Sequence, residues 1–329
     1  MVPRKEPARV ALGCFPTPVA ALDRLSSSLG GPRLLIKRDD LSGLGMGGNK
    51  VRKLEFLVAA ALELGCDCLI TGGAAQSNHC RQTAAAAAAL GLECHLALGG
   101  QAPAIPEGNL LLDRLFGAHI HWSGTRRKGE DIPAIEAELR AAGKHPYVIP
   151  YGGSNEIGAL GFVEAIRELS GQLAAMGERC DAVLFPSSSG GTHAGMVVGA
   201  RRYGFRAALV GVAIDKGEAG EGPFRDRVLE LARGVAALER ENEDFSASDI
   251  ILKNDYLGGG YGVVGELERR ALGLMAREEG ILLDPVYTGR AFGALVDLIE
   301  RGEFTRGQTL LFWHTGGTPA LFPYAREIL

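Results

Sequence analysis

Gly43-Leu44-Gly45-Met46-Gly47-Gly48-Asn49-Lys50-Val51-Arg52-Lys53 joins a glycine-rich loop to a helix-forming run that continues from Lys50 to Leu64. Gly43, Gly45, Gly47 and Gly48 leave little side chain to pack. Lys50 falls in the first turn of the expected helix, where the macrodipole disfavours a cation, so it gains little stability there. Such an amine is chemically useful when its pKa is lowered, as in forming a Schiff base. The glycines then read as clearance for something to approach Lys50.

Two phosphate-loop patterns fail at this stretch. A P-loop needs Lys directly after its last glycine and a hydroxyl next, whereas Asn49 intervenes and Val51 follows Lys50. A dinucleotide fingerprint needs an apolar strand directly before it, and Arg38-Asp39-Asp40 is charged.

Working outward, Arg33 to Arg38 reads as a short strand closed by Asp39-Asp40. After the helix come strand 68–71, helix 78–90, strand 93–98, helix 109–116, strand 118–122, helix 132–142 and strand 147–149. Tyr151-Gly152-Gly153-Ser154 breaks the pattern. It resumes as helix 162–175, strand 182–185, helix 192–203 and strand 207–214. The stretch 215–254 is more charged and less regular, with helix around 224–239; helices 266–278 and 290–299 and strand 309–313 follow. Alternation of this kind predicts an α/β protein of mostly parallel, twisted open sheets with helices on both faces. Its 329 residues exceed one ordinary core and suggest two domains or one large unit.

The hydrophobic content of 46% and net charge of −4 give no electrostatic case for nucleic acid. No apolar run approaches 18 residues, and the charged start of the chain lacks the apolar core of a signal peptide. The expected setting is cytoplasmic, without membrane attachment. The six cysteines include no C-x-x-C pair and read as reduced, packed thiols. His119-x-His121 would put two imidazoles on one strand face, but no third ligand is evident nearby, so no metal site is expected.

Ligands of open parallel sheets gather beyond the carboxyl ends of strands. Four turns there are rich in small polar residues. Pro186-Ser187-Ser188-Ser189-Gly190-Gly191-Thr192 is the best anion cradle, combining close backbone approach, hydroxyls and a helix start. Ser77-Asn78-His79 opens the alanine-rich helix, as a plain N-cap or as a carboxylate site. Asp284-Pro285-Val286-Tyr287-Thr288-Gly289 and His314-Thr315-Gly316-Gly317-Thr318 complete the set.

Lys37-Arg38-Asp39-Asp40, Gly47 to Glu55, Gln76-Ser77-Asn78-His79, Ser188 to Thr192, Tyr287-Thr288-Gly289 and His314-Thr315-Gly316-Gly317 occur in that order along nearly the whole chain. Together they resemble the pyridoxal-phosphate enzymes of fold type II, the tryptophan-synthase-β-like group. Within that group the chain is similar to the branch holding 1-aminocyclopropane-1-carboxylate deaminase, D-cysteine desulfhydrase and L-cysteate sulfo-lyase.

The resemblance implies two α/β domains with pyridoxal 5'-phosphate between them: residues 1–48 and 162–329 as the large domain, 49–161 as the small one. Lys50 would hold the cofactor covalently and later move the substrate proton. Lys53 would help hold the phosphate with the turn Ser188, Ser189, Gly190, Gly191 and Thr192. Asn78 would bond the cofactor 3-oxygen, and Ser77 and His79 would face the carboxylate of a small amino-acid substrate. Tyr287 would lie against the pyridine ring, and Tyr261 would project into the substrate space. A homodimer is also implied.

Two positions divide the branch. The deaminase pattern has glutamate and leucine where this chain has Thr288 and Thr315, which follow the desulfhydrase pattern. A neutral hydroxyl near the pyridine nitrogen leaves a weaker electron sink, adequate for expelling a good leaving group from Cβ. The implied reaction is α,β-elimination of D-cysteine to pyruvate, hydrogen sulfide and ammonia. The rival enzymes are the other two of the branch, and the non-enzyme rival is a protein that binds a phosphate ligand without turnover.

Overall fold

The computed structural model describes residues 8–215, 223–239 and 244–329. The irregular charged stretch 215–254 therefore lies in part outside the described residues. The chain opens with β1 (Val19–Ala21), α1 (Asp23–Leu29) and β2 (Arg33–Arg38). A second unit of alternating elements follows: α2 (Lys50–Glu63), β3 (Cys68–Ala74), α3 (Asn78–Leu90), β4 (Glu93–Gly99), α4 (Gly108–Leu115), β5 (His119–Trp122), α5 (Ile132–Ala141) and β6 (Pro146–Val148). The chain then returns through α6 (Glu156–Met176), β7 (Ala182–Ser187), α7 (Gly191–Tyr203), β8 (Ala208–Ala213), α8 (Phe224–Leu238) and β9 (Ile251–Lys253). It closes with α9 (Glu266–Glu279), α10 (Thr288–Glu300), β10 (Thr309–His314) and α11 (Ala325–Ile328).

The strands form two sheets, one of six in the order β1-β2-β10-β7-β8-β9 and one of four in the order β5-β4-β3-β6. Every pairing is parallel except β1 with β2. The period of two along each strand divides the core. In the larger sheet Leu35, Val183 and Leu311 pack under α6, α7 and α8, while Leu34, Ile36, Leu184 and Phe312 pack under α9 and α10. In the smaller sheet Leu69 and Leu96 meet α2 and α3, and Ile70 and Ala97 meet α5. Both sheets are thus covered on both faces, as the alternating pattern predicted. Among the described residues no helix is long and apolar enough to cross a membrane.

Helix α6 starts six residues before the expected Phe162, at Glu156, because Asn155 caps it by accepting a hydrogen bond from Gly158 N at 2.9 Å. The boundary drawn at 161/162 therefore falls inside one continuous helix, whose residues pack against both α2 and α7.

Helix α2 is pinned by a buried ionic network. Arg52 donates to both Asp39 oxygens (2.8 and 2.9 Å) and to Glu168 (2.9 Å), and Lys37 reaches Glu168 at 2.5 Å. Trp313 Nε1 and Thr17 Oγ1 each donate to Asp39 at 2.8 Å. The charges are paired and their remaining oxygens hydrogen-bonded, which is what makes such burial tolerable. Lys37 and Asp39 of the Lys37-Arg38-Asp39-Asp40 motif thus anchor the helix that carries Lys50.

Candidate active site

The carboxyl ends of β3, β7 and β10 and the amino ends of α2, α3 and α7 converge on a cleft with about 600 Å³ of empty space, part of it open to solvent. Lys50, Ser77, Asn78, His79, Ser188, Ser189, Gly190, Thr192, Tyr287 and Thr315 line it. Four turns far apart in sequence are thereby brought to one place.

Lys50 and Lys53 lie one helical turn apart, and both ammonium groups donate to Gly152 O at 3.1 Å. Neither has a carboxylate among its described contacts. Burial lowers the Lys50 pKa from 10.5 to about 8. Burial, and next the charge on Lys50, push Lys53 well below its usual value. Two desolvated amines without an acid partner make a site that an anion would complete.

Lys53 does not itself line the cleft; it stands behind Ser154, donating to Ser154 Oγ at 3.0 Å. Ser154 in turn donates to Ser189 Oγ (2.7 Å) and accepts from Gly191 N (3.1 Å). A Cβ on Gly191 would come within 2.9 Å of Lys53 Nζ, so the glycine is what allows the lysine to approach this turn. Asn49 Nδ2 donates to Thr192 Oγ1 at 3.3 Å, and Asn49 N to Thr315 O at 2.9 Å. The turn thus offers the amino end of α7, serine and threonine hydroxyls and a nearby cation.

Ser77 caps α3 by accepting from Cys80 N at 3.2 Å, which leaves its own O–H free to donate. Asn78 is oriented by Asn109, whose Nδ2 donates to Asn78 Oδ1 at 2.8 Å. The Asn78 amide N–H₂ is therefore the group left for a ligand. Thr71 donates its hydroxyl proton to Ile149 O at 2.9 Å, so the 2.9 Å contact between its oxygen and His79 Nε2 requires the imidazole to donate. His79 Nδ1 is then a buried acceptor without a partner, and burial pushes the pKa of the ring far down, keeping it neutral. An acceptor does not bind a carboxylate, so the expected carboxylate role of His79 is corrected.

Tyr287 and Tyr261 share a 2.7 Å hydrogen bond with their rings edge to face, and the Arg127 guanidinium lies over Tyr261. Tyr261 reaches the cleft through Tyr287. Thr288 is turned away: its hydroxyl donates to the buried Asp284 carboxylate at 2.7 Å, and its N–H does the same. Of the two threonines that divide the branch, Thr315 alone lines the cleft.

The opening glycines also do something other than expected. A Cβ on Gly47 would press into the Asp40 carbonyl group, and one on Gly48 into the Gln82 amide. Gly47 and Gly48 have φ of 69° and 126°, values that favour glycine. Arg81 donates to the carbonyls of Gly45 and Gly47. These glycines fold the loop onto α3 and the end of β2, and the cleft begins at Asn49.

Sequence reasoning did not single out Tyr151, Gly152, Ser154 or Asn109 for the site. The Tyr151-Gly152-Gly153-Ser154 break was visible as an interruption, but not that its Gly152 carbonyl and Ser154 hydroxyl meet the two lysines. His119 and His121 have no third ligand near them in the sequence, yet register pairs His119 with His95 on β4, and Glu93 stands two residues before His95.

The sequence profile of the family described as "Pyridoxal-phosphate dependent enzyme" matches residues 10–316. The chain is 45% identical over 323 residues to a protein from Klebsiella pneumoniae (strain 342) described as D-cysteine desulfhydrase, covering 96% of each. It is similar to the crystal structure of an ACC deaminase homologue, with a TM-score of 0.88 and 37% identity, over 98% of this chain and 96% of that one. The processed form of threonine deaminase isoform 2 from Solanum lycopersicum shares the fold, with a TM-score of 0.67 and 16% identity over 96% of this chain and 83% of that one. The residues present fit the cofactor these likenesses imply: paired amines without an acid, an anion-binding turn beside them and an oriented amide donor. The chain belongs to the pyridoxal-phosphate dependent enzymes, and pyridoxal phosphate is its cofactor.

Proposed function

We propose that the chain is a carbon–sulfur lyase that converts D-cysteine and water to pyruvate, ammonia and hydrogen sulfide. The observation that carries this reading is the near-full-length likeness to a protein described as D-cysteine desulfhydrase. The presence of Thr315, rather than leucine, at the cleft wall agrees with it.

In this reading Lys50 would hold the cofactor at its aldehyde carbon, and the Lys50 amine would serve as the base that takes the Cα proton of the substrate. Its lowered pKa suits both tasks near neutral pH. The bound cofactor supplies an electron sink that lets the Cα–H bond break. The turn Ser188 to Thr192, with Lys53 behind Ser154, holds the phosphate through N–H groups, hydroxyls and charge. Asn78 would donate its amide N–H to the cofactor 3-oxygen. Ser77 donates its O–H to the substrate carboxylate. Tyr287 would lie against the cofactor ring, and Tyr261 holds the Tyr287 hydroxyl through their hydrogen bond. Hydrosulfide leaves from Cβ, and water completes the conversion to pyruvate and ammonia.

The division into residues 1–48 with 162–329 and 49–161, a homodimeric assembly and a cytoplasmic setting belong to the same proposal. Six free cysteines agree with a reducing compartment.

The likeness to an ACC deaminase homologue favours ring-opening deamination as the second reading. A parallel assay separates them: sulfide and pyruvate from D-cysteine, the same products from L-cysteine, sulfite from L-cysteate, and ammonia from 1-aminocyclopropane-1-carboxylate. Sulfide with equal pyruvate from D-cysteine, faster than any other turnover, is the expected result. Faster turnover of one of the others replaces the proposed substrate.

A further inference from the structure

At the far end of the smaller sheet, away from the cleft, four chemically competent side chains share one face. Glu93 and His95 lie on β4, and His119 and His121 lie on β5. Residues two apart on a strand point the same way, and the parallel register sets His95 beside His119 and Ala97 beside His121. These positions pair with the start of β3, Glu93 opposite Cys68 and His95 opposite Ile70. The cleft, by contrast, lies beyond the other end of β3, past Ala74.

We propose that Glu93, His95 and His119 form a binding site for a divalent transition ion of the zinc class, with His121 orienting His95. One ligand atom from each of the three lies within 4.8 Å of the others. Zinc bonds of about 2.0–2.1 Å to nitrogen and oxygen need a somewhat tighter cluster, and the side chains of Glu93 and His119 are exposed enough to swing inward. Imidazole with carboxylate is the donor set that zinc, copper and nickel prefer over calcium or magnesium.

The second, independent observation concerns His95. It is 6% exposed, and its Nε2 is buried without a hydrogen-bond partner. A buried polar atom of this kind calls for an explanation, and a bound ion is one. Its other nitrogen, Nδ1, is 3.1 Å from His121 Nε2. If Nδ1–H donates to His121, the lone pair on Nε2 is free and faces Glu93 Oε2, 3.7 Å away. A hydrogen bond from the outer nitrogen fixes the tautomer of a metal-ligating imidazole, and here His121 would accept it. The rings of His95 and His119 stack at 4.7 Å. Lys144 pairs with Glu93 Oε1 and leaves Oε2 for the ion. The ion would clamp the four-residue edge strand β5 to β4.

The test is zinc titration of the cofactor-loaded protein by calorimetry after chelator treatment, with His119→Gln and Glu93→Gln in parallel. Both substituted side chains are at the surface, and unchanged cofactor absorbance shows that each variant is folded. The expected result is one zinc per chain, weakened at least tenfold in each variant, with a zinc-dependent rise in melting temperature in the unsubstituted protein alone. Absence of zinc binding in the unsubstituted protein, or full affinity retained by either variant, overturns the proposal.

Discussion

Replacing Gly161 by alanine tests how the lysine-bearing helix is placed. Gly161 lies in α6 where that helix crosses α2. A Cβ there would be 2.5 Å from the carbonyl carbon of Arg52 and 2.9 Å from Lys53 N, and closer still to the Arg52 oxygen. Carbon atoms prefer to be about 3.5–4.0 Å apart, so α2 and α6 must separate by roughly 1 Å. The obstacle is backbone on both sides, so no side-chain rotation relieves it. Alanine in place of glycine inside a helix otherwise stabilises by about 1 kcal/mol, while overpacking costs about 1–3 kcal/mol. The expected net effect is a loss of up to ~2 kcal/mol. The displaced backbone is that of Arg52 and Lys53, next to Lys50. A shift of about 1 Å in a reacting group can lower turnover by roughly 10²-fold.

The same helix supplies the control. Gly171 is exposed, and a Cβ on it would meet nothing within 4 Å, so Gly171→Ala should stabilise by about 0.5–1 kcal/mol and leave turnover unchanged. Urea unfolding followed by circular dichroism, with turnover measured on the same preparations, reads both effects. If Gly161→Ala stabilises as Gly171→Ala does and keeps full activity, the close crossing of α2 and α6 does not position Lys50.

Further outcomes follow from the site. Burial disfavours the charged form of Lys50 and so lowers its pKa to about 8; the neutral amine is the nucleophile. Cofactor attachment to the stripped protein should therefore speed up as pH rises through about 8 and then level off, in stopped-flow absorbance. A rate still climbing toward 10.5, the ordinary lysine value, would show that Lys50 is not desolvated. Asn109→Ala removes the donor that orients Asn78. It should weaken retention of the cofactor about tenfold, the worth of one buried hydrogen bond, measured by equilibrium dialysis; unchanged retention would mean that Asn78 needs no such support.

The period of hydrophobic residues made most elements legible, and the helix spanning Asn78–Leu90 was placed to the residue. The short pieces β1, α1 and β9 carry too few residues to show a period. The first turns of α6 were missed because Gly158 and Gly161 look like breakers, whereas they are glycine to let Gly153 and Arg52 approach. The four polar turns were legible because their composition is local. What was not legible depends on contacts far apart in sequence: Ser154 bridging Lys53 to Ser189, Asn109 turning Asn78, and Thr71 consuming the donor of His79. The turn of Thr288 toward Asp284 was equally hidden, since sequence alone does not say which side of a helix start faces the cleft.

Lys50, among the lysines of this chain, is proposed to hold the cofactor. Borohydride reduction of the loaded protein, followed by peptide mass mapping, tests it most directly. Loss of the visible cofactor absorbance and a single pyridoxyl-phosphate adduct on Lys50 are expected. An adduct on Lys53 or any other lysine, or no adduct at all, would contradict it.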